Sequence, residues 1–374
     1  MPLPAGLDKT VGIRRAELSA CKEAAAFLQS DFWGAFKARF GWEALAFRVD
    51  FKNYTANQHE PARATESHQS TSTCGSSTLL VLRRSLAAGF SLAYIPWGPQ
   101  LPPDFPADDI LRGEALKDLA LALKAHLPPG TAFIRFDPPW HSEGPDALPP
   151  QIPPPLVRAG ADIQAPDTVI VDLNQPMEAI LARMKPKWRY NARLALKKGV
   201  TVRGAGAEEI DVFYNLLKET AVRDGIAIHN LEYYKTLLAA KDKDIDTRLY
   251  LAEHEGEPLA GIVTLFFKGR EALYLYGASS DKKRNLMAPY ALQVKAMEDA
   301  HAAGCTEYDL FGIPPNADPA HPMAGLYLFK TGFGGRIIHR PGSWDFPCRP
   351  LIYRLFRCAE ALRKALRDLK KKRP

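Results

Sequence analysis

A short apolar stretch, LYLFK, ends in Lys330 directly behind Phe329, and Gly332, Gly334 and Gly335 follow at once. A cation beside backbone that carries no side chains can stabilise developing negative charge or hold an anionic group. The same residues also suit a tight helix-to-strand corner with a solvated lysine, and local sequence leaves both open. A second cationic group lies in KPKWRYNARLALKKG, where Arg189, Arg193 and Lys197 recur every fourth residue and so share one helix face. With Trp188 and Tyr190 available for stacking, that strip could meet a nucleotide or tRNA phosphate, or it could be a solvated helix face. A third group is C-terminal: Leu355, Ala359, Leu362, Leu366 and Leu369 form a stripe among Arg354, Arg357, Arg363, Lys364, Arg367 and the run from Lys370 to Arg373. A basic amphipathic helix of this kind can lie on anionic lipid. The alternative is a core-packing helix with a frayed basic tail.

Other chemistries are excluded by their missing motifs. The nine histidines are dispersed, no H-E-x-x-H occurs, and Cys21, Cys74, Cys305, Cys348 and Cys358 form no C-x-x-C pair. Reduced cysteines, no metal and no cofactor are therefore expected. There is no G-x-S-x-G elbow, no P-loop lysine motif and no G-x-G-x-x-G fingerprint, which removes the common hydrolase, NTPase and Rossmann readings. The net charge of +7 suits a phosphate-bearing partner such as tRNA, a nucleotide-linked substrate or an anionic membrane surface. No signal-like start and no run of about 18 apolar residues is present, so a cytoplasmic protein, at most peripheral to a membrane, is expected.

The elements that must position these residues follow from periodicity. Three- and four-residue apolar spacing predicts a helix from about Ser19 to Phe40, followed by the strand ALAFRVDF. Residues 52–77 lack periodicity and read as an exposed loop or insertion. Strands TLLVLRRS and FSLAYIPW, a helix over about Asp108 to His126 and the strand TAFIRFDP come next. Prolines dominate 138–166, which marks the domain boundary and places domains at 1–160 and 161–374. Beyond it come the strand TVIVDL, a helix near Pro176, and a helix opened by Pro186 and closed at Gly199. Helices at about Glu208 to Arg223 and Leu231 to Lys241 precede three strands, DTRLYLAEH, PLAGIVTLFF and ALYLYGAS; a helix from Ala288 to Ala303 leads into EYDLF. The order strand, helix, strand thus recurs in both halves, which favours two similarly built α/β domains over one barrel.

In this order, QSDFWGAFKARFGW, YIPWGP, FIRFDP, MKPKWRYNARLALKKGV, TAVRDGI, YLYGASS, YDLFGI and GLYLFKTGFGG resemble the FemABX family of peptidoglycan aminoacyltransferases. The resemblance implies an α/β (α+β) chain of two GNAT-like domains, each a mostly antiparallel mixed sheet flanked by helices, without the long coiled-coil arm of some members. It implies transfer of an amino acid from aminoacyl-tRNA, as co-substrate, to an amine of a UDP-linked or lipid-linked precursor. Lys330 and Phe329 match the reacting centre and Asp137 an acidic position considered as a general base. Lys37, Trp33, Gly98, Arg223, Tyr276 and Gly312 match precursor-binding positions, with Lys37 and Arg223 expected on the pyrophosphate. The segment KKRNLMAP lacks the glycines with which GNAT enzymes hold coenzyme A, which counts against that donor. An N-acyltransferase with another activated donor, and a non-catalytic tRNA- or membrane-associated binding module, remain the competing readings.

Overall fold

The computed structural model describes residues 11–52, 54 and 73–371. In the first half, β1 (Val11–Ala16), α1 (Asp31–Ala38), β2 (Glu43–Lys52), β3 (Thr73–Ser85), β4 (Ser91–Ile95), α2 (Asp109–Lys124) and β5 (Thr131–Phe136) follow in order. Two short strands, β6 (Ser142–Glu143) and β7 (Val157–Arg158), lie in the proline-rich stretch. The second half holds β8 (Asp167–Asp172), α3 (Met177–Arg183), α4 (Pro186–Lys197), β9 (Thr201–Ala205), α5 (Ile210–Asp224) and α6 (Leu231–Ala239). These lead to β10 (Ile245–His254), β11 (Glu257–Phe267), β12 (Glu271–Ser279), α7 (Ala288–Ala302) and β13 (Glu307–Asp309). Last come α8 (Ala324–Thr331), β14 (Arg336–His339), β15 (Trp344–Pro347) and α9 (Pro350–Lys371).

The described chain divides into two compact units. Unit 1 takes the chain up to His141, then Pro149–Pro166 and the chain from Arg340 on; unit 2 takes Ser142–Leu148 and Asp167–His339. This departs from the single cut near residue 160. The chain returns to unit 1 because β15 pairs with β5 on one side and β7 on the other.

Each unit holds one sheet. Unit 1 orders its strands β1-β2-β3-β4-β5-β15-β7, and unit 2 orders them β6-β14-β8-β13-β12-β11-β10-β9. In both, three consecutive antiparallel strands lead through a helix to a parallel partner: β4 beside β5 after α2, and β12 beside β13 after α7. The repeated order legible in the sequence is therefore a repeated topology in the two units. Buried positions on β2, β3, β4 and β5 close over α2 in the first core, with Leu111, Ala115, Leu116 and Leu119 fully covered. The second core packs β8, β11 and β12 against α7 through Leu292, Ala296 and Met297.

Two local expectations change. The helix expected from Ser19 to Phe40 is instead two 3-10 turns, Leu18–Glu23 and Phe27–Gln29, followed by α1. Ser30 sits in extended backbone and its Oγ accepts from the Trp33 N–H at 3.2 Å, so a strong N-cap restarts the helix there. The buried Gln29 amide accepts from the Leu80 N–H (2.9 Å) and donates to the Pro96 carbonyl (2.6 Å), fixing the turn to β3. Most of the stretch expected as a loop at 52–77 lies outside the described residues; its end, from Thr73, is strand, paired with β2 across a register shift at Phe51/Lys52.

Candidate functional site

The stretch around Lys330 belongs wholly to unit 2. Lys330 sits in the last turn of α8 and is only 6% exposed. Its Nζ donates to the carbonyls of Phe311 and Gly312, both at 2.9 Å, and lies 5.1 Å from the centroid of the Tyr274 ring. Phe311 carries a φ of 59°, a costly conformation for a residue with a Cβ. It is held by Lys330 at its carbonyl and by Asp309, whose Oδ1 accepts from the Phe311 N–H at 2.7 Å. Thr168 on β8 donates to the same carboxylate oxygen. Burial pushes the Lys330 ammonium down to about 7, against the opposing pull of Asp309. The lysine is thus neither solvated nor salt-bridged; it titrates near neutrality at the end of the strand β13.

The glycines have a different job from lining an open pocket. A Cβ on Gly332 would meet the Trp188 indole at 2.1 Å, and Gly334, at φ 82°, lies 2.6 Å by the same measure from the backbone of Arg183. These positions let the α3–α4 connection pack onto the turn between α8 and β14, so the helix-to-strand corner is the correct reading of them. Trp188 donates from Nε1 to the Phe329 carbonyl at 2.8 Å. The half-buried Phe329 ring packs edge-on to Tyr290 and Phe333, with centroids 5.2 and 5.1 Å away. Gly312 enters the site through its carbonyl.

The other matched residues of unit 2 lie along α5 and β12. Arg223 donates to the Ser279 carbonyl (2.9 Å) and pairs with Asp224 and Asp281. Tyr276 belongs to a ring cluster with His229, Tyr233 and Tyr234, its hydroxyl 3.4 Å from that of Tyr233. Of the cationic strip on α4, Arg193 and Lys197 are exposed, but Arg189 turns back to donate to the carbonyls of Ala182 and Met184, both at 2.6 Å. That residue closes the end of α3, which a helical spacing argument could not reveal. Arg189 and Arg193 also border an apolar recess of about 260 Å³ with Leu181, Leu196 and Val294.

Unit 1 contains the remaining matched residues. On α1, Lys37 Nζ lies 5.4 Å from the Trp33 ring centroid and 5.8 Å from that of Trp42. Arg84 on β3 places its guanidinium 5.3 Å from the same Trp42 ring. Burial, and then Arg84, lower Lys37 to about 8. Two cations thus stand over one indole, with Arg84 opposing the charge on Lys37. Gly98 donates its N–H to the Asp137 carbonyl at 3.1 Å, and a Cβ there would crowd the Gln29 amide at 3.0 Å. Asp137 itself is buried at the end of β5. Tyr94 donates to its Oδ2 at 2.5 Å, the Gln164 N–H at 3.2 Å, and Ser343 to its Oδ1. Burial still raises its carboxyl to about 6. Both oxygens serve donors of unit 1, which is the geometry of a clamp between β4, β5 and the segments at 164 and 343.

Sequence spacing missed Tyr274, Thr168 and Arg84. Tyr274 stands two positions before Tyr276 in YLYGAS, but a register shift between them gives the two rings different surroundings, Lys330 for the first and the His229, Tyr233 and Tyr234 cluster for the second, which simple alternation does not reveal. Thr168 and Arg84 join their sites only through sheet pairing and carry no local signal.

A model of the FemAB family matches residues 156–253 and 239–361, together more than half of the 374 residues. The Lipid II:glycine glycyltransferase of Staphylococcus saprophyticus subsp. saprophyticus is 25% identical over 275 residues, covering 56% of this chain and 66% of that protein. Its counterpart in Staphylococcus epidermidis is 24% identical over 253 residues, covering 52% and 61%. The chain thus spans less than two thirds of the length of these relatives. Among solved structures, FemX superposes with a TM-score of 0.67 at 20% identity, covering 92% of this chain and 99% of that one, which shows a shared fold. With the family model matched over both sides of the Lys330 site, the chain belongs to the FemAB family.

Proposed function

We propose that this chain is an aminoacyltransferase that moves an amino acid from aminoacyl-tRNA to an amine of a peptidoglycan precursor stem peptide. The observation that carries the reading is the buried Lys330 ammonium, held at one point by the carbonyls of Phe311 and Gly312. An ammonium has three N–H donors and those carbonyls take two of them, so the third is the one to meet a reacting oxygen. In the reaction the acceptor nitrogen attacks the ester carbonyl, the C–N bond forms, and the tetrahedral oxyanion is stabilised by Lys330. Collapse breaks the C–O bond to the ribose, whose oxygen takes the proton shed by the amine, so no protein base is obligatory. Asp137 acts as a clamp in unit 1 rather than as that base.

Lys37 and Arg84 take the phosphate groups of the precursor in unit 1, with Trp33 and Trp42 walling the charges. In unit 2, Arg223 and Tyr276 contribute to precursor binding, Arg223 by exchanging a carboxylate partner for phosphate. Arg193 and Lys197 are the strip residues free to meet tRNA phosphate. A lipid-linked acceptor is favoured by what the named relatives are called. The deciding experiment is transfer of radiolabelled amino acids from total charged tRNA onto defined UDP-linked and lipid-linked precursors. Label in either precursor supports the reading, and none in both, with the enzyme folded, overturns it.

A further inference from the structure

Helix α9 has two faces of different chemistry, and only one of them is used inside unit 1. Tyr353, Phe356, Arg357 and Glu360 recur at helical spacing on the inner face. Tyr353 and Phe356 pack on Phe133 with ring centroids 5.3 and 4.8 Å away, and the Tyr353 hydroxyl donates to Asp345 at 3.0 Å. Arg357 donates to the Arg158 carbonyl at 2.8 Å and faces Glu360. Leu351, Leu355, Leu362 and Leu366 are set half a turn away from these and are 73%, 67%, 61% and 51% exposed. Cys358, also exposed, falls on the same ridge. The leucine stripe is therefore not the docking face, and the aromatic pair that is had no place in the expected stripe.

The surroundings of the ridge are predominantly basic. Arg354 and Arg363, both exposed, flank it on either side. Glu360 is the only acid among the described side chains of α9, and it faces Arg357 on the inner side. The sequence adds Lys364, Arg367 and the run Lys370 to Arg373, against the single acid Asp368. A second copy of the same ridge would bring Arg354 and Arg363 against their counterparts, with a large excess of basic over acidic residues along the segment. An anionic bilayer surface offers both apolar depth for the leucines and phosphate for the cations.

We propose that the outer face of α9 is an interfacial surface that seats this chain on an anionic membrane, the four leucines entering the headgroup boundary. The helix is far too polar to span a bilayer, and among the described residues no helix is long and apolar enough to do so. The inference stands apart from the proposed transfer reaction, because it concerns a face that carries none of the residues assigned to it. Deleting the helix is a poor probe, since that uncovers Phe133; outward substitutions leave the docking face whole.

The test is co-sedimentation of the full chain with vesicles of neutral phosphatidylcholine, with and without about a third phosphatidylglycerol, with no donor or acceptor present. Binding to the anionic vesicles at least tenfold tighter than to neutral ones is expected, weakening in 0.5 M salt. Leu355→Glu/Leu362→Glu should lose at least tenfold in affinity, Leu355→Ala/Leu362→Ala less, and Arg354→Glu/Arg363→Glu several-fold, with thermal unfolding unchanged. Equal binding to both vesicle types, or unaltered binding of the leucine variants, overturns the proposal. So does a dimer in sedimentation equilibrium that the leucine substitutions dissociate, which would assign the ridge to self-association.

Discussion

At the scale of single residues, the chemistry turns on which charges are buried. Lys330→Ala is expected to reduce the transfer rate by about 10²-fold or more, the range for removing one preorganised donor to an oxyanion. Because burial lowers Lys330 to about 7, its useful charge is lost as pH rises through that value. The wild-type rate should fall above neutrality in single-turnover assays, and an unchanged rate to pH 9 would reject the oxyanion role. The same shift has a stability consequence of opposite sense. Between about 7 and 10 the unfolded chain holds the proton that the folded chain has released, so this group's contribution to stability rises with pH across that window and is smallest below it. Lys330→Met should flatten that part of the stability profile.

Asp137 reverses the direction. Its folded value of about 6 lies above that of a free carboxyl near 4, so the folded state holds the extra proton and stability declines as pH rises between them. Asp137→Asn should remove that slope in denaturant titrations. Asp137→Ala should cost about 3 kcal/mol at pH 7, since Tyr94, Gln164 and Ser343 lose a shared acceptor. On the binding side, Lys37→Ala and Arg84→Ala should each raise KM for precursor about tenfold with little change in kcat, as expected for lost charge-assisted bonds to phosphate. A drop in kcat with KM untouched would place these cations elsewhere in the reaction.

At the scale of elements, the corner between α8 and β14 is set by close approach. Gly332→Ala should destabilise by roughly 1–3 kcal/mol, because a methyl meets the Trp188 ring. Placed on a Trp188→Ala background, the same change should cost much less, and equal costs in both backgrounds would refute the contact as the cause. Most elements were legible because their apolar periods are unambiguous: β10, β11, β12 and α7 lie where the alternation and the three-four spacing put them. The helix expected over Ser19 to Phe40 failed for a local reason. Phe27 and Leu28 do point inward, but they do so from a 3-10 turn tied to β3 by Gln29, and apolar spacing alone does not tell such turns from an α-helix.

At the scale of the molecule, the C-terminal segment belongs with the N-terminal half. Arg135 on β5 and Asp345 on β15 form a buried bidentate pair at 2.7 and 2.8 Å, joined by the Tyr353 hydroxyl of α9. Asp345→Ala leaves a buried guanidinium without its partner and should cost about 3–5 kcal/mol, lowering the unfolding midpoint of unit 1. Retention of wild-type stability would mean that the pair does not pin the returning chain. Within the proline-rich stretch 138–166 the chain passes between the units more than once, since β6 pairs in unit 2 and β7 in unit 1.

By itself the sequence determined the strand and helix inventory, the repeated order of the two halves and the lysine-centred stretch, because each is written in local period or residue type. It left the lysine's surroundings open. Only the tertiary structure decided that Lys330 is buried on two carbonyls, that Arg84 joins Lys37 around Trp42, that Arg189 is spent on α3, and that the leucines of α9 face outward. Apart from Arg189, whose carbonyl partners lie five and seven residues back, those outcomes depend on partners well separated in the chain, as with Thr168 on Asp309 or Phe133 under α9. Sheet register brings such partners together, and no periodicity within a segment encodes which neighbour its register will select.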